Sequence, residues 1–377
     1  MEYSHLIVGN REDYHAVAVA WALKQLGEPA VVWDGISSSP DGQICLRPDN
    51  EDGGVSLGGS SYSRFKSLWF RRPIRYPNLD NIADHVKDFV KCELRYSYWN
   101  LAAALERRSM FTVGTGYMAA FACKEHQLKC ALDAGFKIPK TVITNNFDEA
   151  TDFISSVGKA ALKPFNPFYW RDDDSNSLRV AATAIVSSPN ELTKDSVEAC
   201  PSIYQEYIEK AYELRVTVIG NRVFAAKISR VGGGSFVDWR MKIDSDEAIV
   251  EAMQLDPVLE ATILEYVRGL GLAYGCLDLV VDDAGTAYFL EINPGGQFLF
   301  VEDLVPELPL LNAFSSMLSA GALDYDLKRN DDISVSRFDR SVDWAEMQEA
   351  RGKLVTEPPF YTRVVGAGQE DTSEVGA

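Results

Sequence analysis

The residues best placed to do chemistry lie in FLEINPGGQF, residues 289–298. A carboxylate and a carboxamide, Glu291 and Asn293, close an apolar run two residues apart, so on a strand both point at one spot. Upstream, YGCLDLVV at 274–281 reads as a second strand, and Asp282-Asp283-Ala284-Gly285 has the turn chemistry to join the two as a hairpin. A turn pairing Asp282 with Gly285 sets Asp278 opposite Phe289, on the face of Glu291 and Asn293. Two carboxylates and an amide oxygen then converge, a set that suits a hard divalent cation such as Mg²⁺, which keeps waters and phosphate oxygens among its ligands. An edge hairpin with a solvated acidic face accounts for the same spacing. Pro294-Gly295-Gly296 ends the strand at its acidic end and lets backbone approach closely, which favours the binding site.

Candidate cations come from separate segments. SLWFRRP at 67–73 places Arg71 and Arg72 behind an aromatic strand; they point to opposite faces, so at most one, taken as Arg72, serves the site, and surface ion pairing is the alternative. Lys124 falls inside a helix expected over 116–135. Lys163 ends the strand KAALKPF at 159–165, from which a lysine can reach phosphate as a point charge. Residues 202–230 read as a short strand and then two antiparallel strands turned at Gly220-Asn221, with Glu213 and Arg215 sharing a face and Lys227 and Ser229 sharing another. A glycine loop follows, carrying Arg240. Cations for a polyphosphate and carboxylates for its metal are the two halves of a Mg-nucleotide site, where catalysis is mostly positioning and charge stabilisation. Neither Gly-Thr-Gly at 114–116 nor the glycines at 232–234 fit a dinucleotide or P-loop pattern.

The elements that must hold these groups read as α/β. HLIVGN at 5–10, a helix over 15–27 and PAVVWD at 29–34 form a βαβ start and hence a parallel sheet. A Gly/Ser/Asp-rich meander follows to about residue 63. A helix over 82–106 carries Phe89, Tyr96, Tyr98 and Trp99, expected to pack on that sheet. Then come a strand at 140–144, a helix at 148–157, a polar loop at 166–177 long enough to act as a lid, and a helix at 189–198. Helices at 257–269 and 308–321 flank the hairpin.

At 377 residues and 46% hydrophobic, the chain can bury more than one core. With 37 Lys and Arg against 55 Asp and Glu, a formal charge of −18, and no long basic block, it is not a general nucleic-acid binder and does not bind anionic membranes. Any anionic ligand must be held by local cations. Six cysteines without CxxC or Cys/His spacing argue against structural zinc and for buried thiols in a reducing compartment. No secretory signal is legible, and no apolar run approaches the roughly 18 residues of a membrane span, so a cytoplasmic protein is expected.

The order of motifs resembles the ATP-grasp superfamily, most closely the ligases that macrocyclise ribosomal peptides, the microviridin-type or graspetide synthetases, which are related to ribosomal-protein glutamate ligases. The resemblance rests on WFRRP at 69–73, Lys124, LKPF at 162–165, YQEYIEK at 204–210, ELRV at 213–216, VFAAKI at 223–228, DWR at 238–240 and the two hairpin strands, and it covers roughly residues 1–325. It implies an N-terminal parallel-sheet domain over 1–115 and two ATP-grasp α+β subdomains over 116–205 and 206–325, with an extension over 326–377.

The resemblance further implies that ATP is held between the two subdomains. Lys124 and Lys163 hold phosphates; the hinge strand Gln205, Glu206, Tyr207 and Ile208 meets adenine; Glu213 lies near the ribose. Arg215 and Arg240 bind the γ-phosphate or an acyl phosphate, with Arg215, Arg240 and Lys163 the catalytic set, and Asp278, Glu291 and Asn293 hold two Mg²⁺ ions. The implied partner is a ribosomal precursor peptide with an acidic, hydroxyl-rich core whose leader docks on the helix bearing Glu191, Asp195 and Glu198; solvation is the alternative for that acidic face. Glu302, downstream of the metal strand, faces the acceptor entrance. A homodimer is also implied. PPFYTRVV at 358–365 looks like the family's leader motif, so self-docking is an expectation, with Arg363 meeting the acidic helix; Glu370, Asp371, Thr372, Ser373 and Glu374 follow. The alternative activity is a ligase adding free amino acids to a protein or peptide carboxylate.

Overall fold

Residues 4–50, 54–72, 77–114, 123–165, 168–171, 178–181, 183–232, 236–237, 239–241, 243, 245–328 and 330–354 are described by the computed structural model of the chain. β1 (Ser4–Val8), α1 (Tyr14–Gln25) and β2 (Ala30–Trp33) form the expected βαβ start, with β1 and β2 parallel. Asp13 caps α1 by accepting the Ala16 N–H. β3 (Ile44–Leu46), β4 (Val55–Leu57) and β5 (Ser60–Tyr62) are the antiparallel meander. β6 (Phe65–Phe70) returns beside β1, α2 (Asp84–Arg107) crosses over, and β7 (Ser109–Val113) completes a parallel sheet of order β2-β1-β6-β7. On α2 only part of the aromatic set packs: Tyr98 is buried, whereas Phe89 and Tyr96 are exposed, because the first half of the helix stands clear of the sheet.

α3 (Lys124–Asp133) begins at Lys124 rather than enclosing it; the upstream residues 115–122 lie outside the described residues. β8 (Thr141–Thr144), α4 (Phe147–Val157) and β9 (Ala160–Lys163) follow. Where a polar loop was expected, β10 (Phe168–Arg171) pairs with β11 (Leu178–Ala181) as an antiparallel ribbon; the acidic triplet 172–174 lies outside the described residues. β12 (Ala184–Val186) leads to a 3₁₀ turn at Pro189–Glu191 and to α5 (Lys194–Ala199), two pieces where one helix was expected: the Thr193 side chain caps a fresh start at Lys194 by accepting the Ser196 N–H. β13 (Ser202–Glu206) completes an antiparallel sheet of order β12-β9-β13-β8.

β14 (Tyr212–Ile219) and β15 (Arg222–Arg230) form the hairpin at Gly220-Asn221, with Gly220 at φ 57°. β16 (Ala248–Ala252), not legible in the sequence, α6 (Pro257–Gly269), β17 (Tyr274–Val281) and β18 (Ala287–Asn293) give a five-stranded sheet of order β16-β15-β14-β17-β18. One face is apolar, carrying Leu214, Val216, Val218, Leu277, Leu279 and Val281 against α6 and α3. The opposite face carries Arg215, Thr217, Cys276 and Asp278.

α7 (Leu299–Leu304), α8 (Leu310–Ala320), α9 (Val335–Phe338) and α10 (Val342–Leu354) finish the described chain. Phe298, Phe314 and Phe338 join Trp69 and Tyr274 in one core that welds the N-terminal sheet to the C-terminal one. Among the cysteines only Cys276 is buried; Cys92, Cys123 and Cys200 are exposed, contrary to the expected buried thiols. No described helix is long and apolar enough to cross a membrane.

Candidate active site

The hairpin that carries the carboxylates is built one residue differently from expectation. The turn runs from Asp282 to Thr286, and β17 and β18 pair regularly from Val281↔Ala287 to Leu279↔Phe289 before a bulge at Leu290. Asp278 therefore lies opposite Glu291, not Phe289. The extra residue flips the parity of the strand. Phe289 and Ile292, three apart, both enter the apolar core, which frees Glu291 to face the other way. β14 extends the same row, since Arg215 pairs with Asp278. Arg215, Asp278 and Glu291 thus stand side by side across three strands, with Asn293 one step further along the same side of β18.

β18 is an edge strand, and its free side is used. The Phe289 N–H donates to Lys137 O at 2.9 Å, and the Ile292 N–H to the buried Gln127 Oε1 at 3.4 Å. Gln127 sits one turn into α3, so this contact sets the start of α3 against Glu291. Lys124 Nζ then reaches Glu291 Oε2 at 2.5 Å. A lysine in a first helical turn opposes the helix dipole, and Glu291 compensates it. Arg240 Nη2 reaches Glu291 Oε1 at 3.4 Å and Asp278 Oδ2 at 3.9 Å. Arg215 Nη1 donates to Asp278 Oδ1 at 2.9 Å, both side chains being buried. Burial would raise the Glu291 carboxyl, but Lys124 and Arg240 overcome that and hold it at about 2.

The facing sheet contributes Lys163 from the end of β9. Its Nζ donates to Gln205 Oε1 at 2.6 Å, and Gln205 Nε2 donates in turn to Thr141 Oγ1 at 3.0 Å. Burial lowers the Lys163 amine to about 8; Glu291 pulls it up, while Arg240, Lys210 and Lys124 push it further down. Those influences tie Lys163 electrostatically to Glu291 and its cations. Beyond β13, the Tyr207 N–H bonds to Lys159 O and Glu206 Oε2 accepts from Lys140 N, which fixes the strand leading to Ile208. Glu213 is buried and takes Lys210 Nζ at 2.8 Å, so the residue expected near a ribose arrives already paired with a lysine.

The structure therefore gathers Lys124, Lys163, Gln205, Arg215, Arg240, Asp278 and Glu291 between two sheets, with Asn293 exposed at the rim. Four cations meet two carboxylates, a surplus suited to a polyphosphate. Among the described residues no group of three His, Cys, Asp or Glu side chains is gathered as a metal cluster. Two opposed carboxylates and one amide oxygen nevertheless fit Mg²⁺, whose remaining ligands are waters and phosphate oxygens.

Other expected contacts fall elsewhere. Arg72 is exposed and reaches Asp13 at 3.4 Å; the arginine that touches the loop after β18 is Arg71, fully buried, donating to Gly295 O at 2.7 Å. Alternation along the strand separates the two arginines but does not say which one the core encloses. Glu302 is buried with both oxygens occupied by the backbone N–H groups of Leu311 and Val335, so it ties loops together instead of opening toward an acceptor. It lines a separate cavity of about 320 Å³ with Pro306, Pro309, Leu327 and Ile333. Glu191 closes a capping box by accepting from Ser187 and Ser188 N–H, whereas Asp195 and Glu198 stay exposed on α5. Residues 358–365 and 370–374 lie outside the described residues. His15, Tyr274 and Lys210 are not singled out by the sequence: Tyr274 reads as one more residue of an apolar strand, and Lys210 lies among other charged residues.

No family model matches the chain. It is 28% identical over 160 residues to the tetrahydromethanopterin:alpha-L-glutamate ligase of Methanocaldococcus jannaschii, covering 41% of this chain and 52% of that ligase, about half the length of the curated relative. Three solved structures superpose over most of the chain. A RiPP-associated ATP-grasp ligase of Chryseobacterium gregarium, in complex with ADP and a leader and core peptide, matches with TM-score 0.72 and 23% identity over 87% of this chain and 99% of that one. The macrocyclase MdnC of Microcystis aeruginosa, bound with its precursor peptide MdnA, matches with TM-score 0.71 and 25% identity over 85% and 100%. The ATP-grasp ligase PsnB, complexed with minimal precursor, Mg and ADP, matches with TM-score 0.68 and 19% identity over 84% and 96%. The chain thus shares the fold of these ATP-grasp ligases along nearly their whole length.

Proposed function

We propose that this chain is an ATP-dependent ligase that activates Asp or Glu side-chain carboxylates of a ribosomal precursor peptide and joins them to Thr or Ser hydroxyls, or to a Lys amine, as ω-ester or ω-amide macrocycles. The observation that carries this reading is the surplus of buried and half-buried cations, Lys124, Lys163, Arg215 and Arg240, facing Asp278 and Glu291 between two sheets. A carboxylate is a poor electrophile. Transfer of the γ-phosphoryl group to its oxygen releases ADP and leaves an acyl phosphate; attack by the hydroxyl or amine on the carbonyl carbon breaks the carbon–oxygen bond to phosphate, which departs and can carry the nucleophile's proton. Lys124 and Lys163 hold phosphates, and residues 205–208 meet adenine through backbone groups. Arg215 and Arg240 steady the charge that moves onto the transferred phosphoryl group. Asp278, Glu291 and Asn293 would hold Mg²⁺, two ions by analogy with the superfamily, which when bound neutralises phosphate charge.

The test is to weigh the product after incubation with Mg-ATP and a precursor-type peptide bearing acidic and hydroxyl residues. One water lost per link, with ADP formed, supports cyclisation. The similarity to a glutamate ligase sustains a second reading, ligation of a free amino acid, and that outcome adds residue mass instead. No peptide-dependent ADP release rules out both. For the leader, Asp195 and Glu198 supply an exposed acidic face on α5. Docking of segment 358–365 on that face in cis, with Arg363 meeting the acidic residues at high effective concentration, is the companion proposal. Deleting residues 355–377 then weakens binding of the peptide or slows its turnover; unchanged kinetics dispose of the cis leader.

A further inference from the structure

The loop that follows the metal strand is held in an unusual way. Five consecutive residues each have a backbone group bonded to a buried side chain from another element. Gly295 O accepts from Arg71 Nη1 at 2.7 Å, Gly296 O from Tyr274 Oη at 2.6 Å, and Gln297 O from Arg215 Nη2 at 2.8 Å. The N–H groups of Phe298 and Leu299 then both donate to His15 Nε2, at 3.0 and 3.2 Å. The three donors come from β17, β14 and the residue just after β6, and the acceptor from α1, so the loop is where the N-terminal and C-terminal sheets are tied. Gly296 lies so close to β17 that a Cβ there would sit 2.8 Å from Cys276 Cβ.

From this geometry, and resting on the ligase reading above, we infer that Arg71 and His15 are positioning residues for the Mg-nucleotide site, acting through the loop they hold. The link to Asn293 is direct: its Oδ1 accepts from the Gly295 N–H at 3.2 Å, so the loop backbone orients the amide oxygen and leaves it a second lone pair for a cation. The link to Asp278 is the Arg215 guanidinium, which bonds Asp278 Oδ1 with one nitrogen and Gln297 O with the other. A loop displaced from Gln297 releases that fork. Groups behind metal ligands fix ligand orientation, and their loss typically costs about 10–100-fold in metal affinity or activity.

Packing alone does not account for the arrangement. Burying a guanidinium is weak evidence for stability, because an apolar side chain of similar volume often serves as well. Arg71 needs Asp13, which accepts from Arg71 Nε at 3.0 Å while also capping α1 through Ala16. Burial would raise that carboxyl, yet Arg71 and its neighbours hold it at about 2. Even so, Arg71 Nη2 and Arg215 Nε find no partner among the described residues. Unpaired buried donors cost roughly 1–3 kcal/mol each. The two arginines that grip the loop therefore carry an energetic penalty that a purely structural contact would not need. His15 accepts two N–H groups on Nε2 and must be unprotonated there. Burial, aided by Arg71, lowers its pKa well below the ordinary histidine value, so the clamp persists across neutral pH.

The test measures ADP affinity calorimetrically with and without Mg²⁺ in the full chain, using Arg71→Lys, which keeps the charge for Asp13 but loses the fork, and His15→Gln, which keeps an acceptor. Arg71→Lys is expected to bind ADP within about twofold of the parent without Mg²⁺, while the gain in affinity on adding Mg²⁺ falls by at least about tenfold. His15→Gln restores most of that gain and His15→Leu does not. Ser67→Ala, on β6 but bonded to His5 instead of the loop, reports any general loosening of the sheet and leaves both affinities unchanged. An undiminished Mg²⁺ gain in folded Arg71→Lys and His15→Leu overturns the inference, as does an equal loss in Ser67→Ala. Failure of the parent chain to bind ADP at all overturns the ligase reading instead.

Discussion

Two clusters in this molecule have the residue types of an enzyme centre, and only one has the condition of one. In the N-terminal sheet, Ser67 Oγ lies 2.6 Å from His5 Nδ1 and Glu28 Oε2 lies 2.8 Å from His5 Nε2, the order of a nucleophile, base and orienting carboxylate. Between the other sheets, Lys124, Lys163, Arg215 and Arg240 surround Asp278 and Glu291. In the first cluster the pair that would react is closed: Ser67 and His5 are 1% and 2% exposed, while Glu28, partly exposed, also accepts from Lys66 and Ser319. The second is open and unbalanced, with the Lys124 and Glu291 side chains each 23% exposed and Arg240 more than half exposed. Triad spacing without access is a satisfied polar network. Surplus charge with access is a demand for a ligand.

The largest break in this comparison comes from removing a carboxylate on the open side. Glu291→Gln is expected to cut ADP formation by at least about 10³-fold, as loss of a preorganised charge at a phosphoryl-transfer site does, while the thermal transition stays near that of the parent. Asp278→Asn should abolish turnover equally, but it strands the buried Arg215, so a lowered melting temperature accompanies it. Wild-type ADP formation in either variant removes the metal assignment.

Glu302, a third buried acid that belongs to neither cluster, tests the converse. Burial lifts its carboxyl to about 7 despite the two backbone N–H groups it accepts. A folded pKa above the unfolded one means that its contribution to stability is complete below about 4.5 and is lost as pH rises through 7, by an amount on the order of 3 kcal/mol. Glu302→Gln is expected to flatten the fall in melting temperature between pH 4.5 and 7 and to leave Mg²⁺-dependent ADP affinity unchanged. A loss of ADP affinity would move Glu302 back into the site.

How legible this was depended on distance along the chain. The hairpin bearing Asp278, Glu291 and Asn293 could be read because turn residues and two-residue alternation are local. The Leu290 bulge could not, since nothing in a strand's alternation announces an inserted residue; only the three-residue spacing of Phe289 and Ile292 hints at it. Arg71 against Arg72 was a matter of which face the core covers, decided by α1 and the loop at 295–299 more than 200 positions away. The residues at 166–177 read as a loop because their acidic run hid the flanking β10 and β11, and α10 left little apolar periodicity to find.

Lys163 sharpens the open side by titration. On the proposed reading phosphate is held by the charged amine, which burial lowers to about 8. Nucleotide affinity should therefore be full below pH 7 and weaker by about tenfold at pH 9, with proton uptake on ADP binding measurable by calorimetry in buffers of different ionisation enthalpy. Lys163→Arg, which stays charged, is expected to remove the dependence. A pH-independent affinity in the parent would place the phosphate elsewhere.

The smallest effect belongs to the closed cluster, and its smallness is the point. Ser67→Ala removes one neutral hydrogen bond from a buried network and leaves His5 Nδ1 without it, a change worth roughly 1–2 kcal/mol in folding. His5 is lowered by burial, with Glu28 opposing, so its contribution to stability is present above about 6.5 and is lost as pH falls through its depressed value. Ser67→Ala is expected to lower the melting temperature modestly, to make that acid limb shallower or shift it, and to leave ADP formation and ester hydrolysis at parental levels. Hydrolase activity in the parent that vanishes in Ser67→Ala would mean that the N-terminal sheet opens to substrate, and the distinction between the two clusters would then rest on dynamics instead of access.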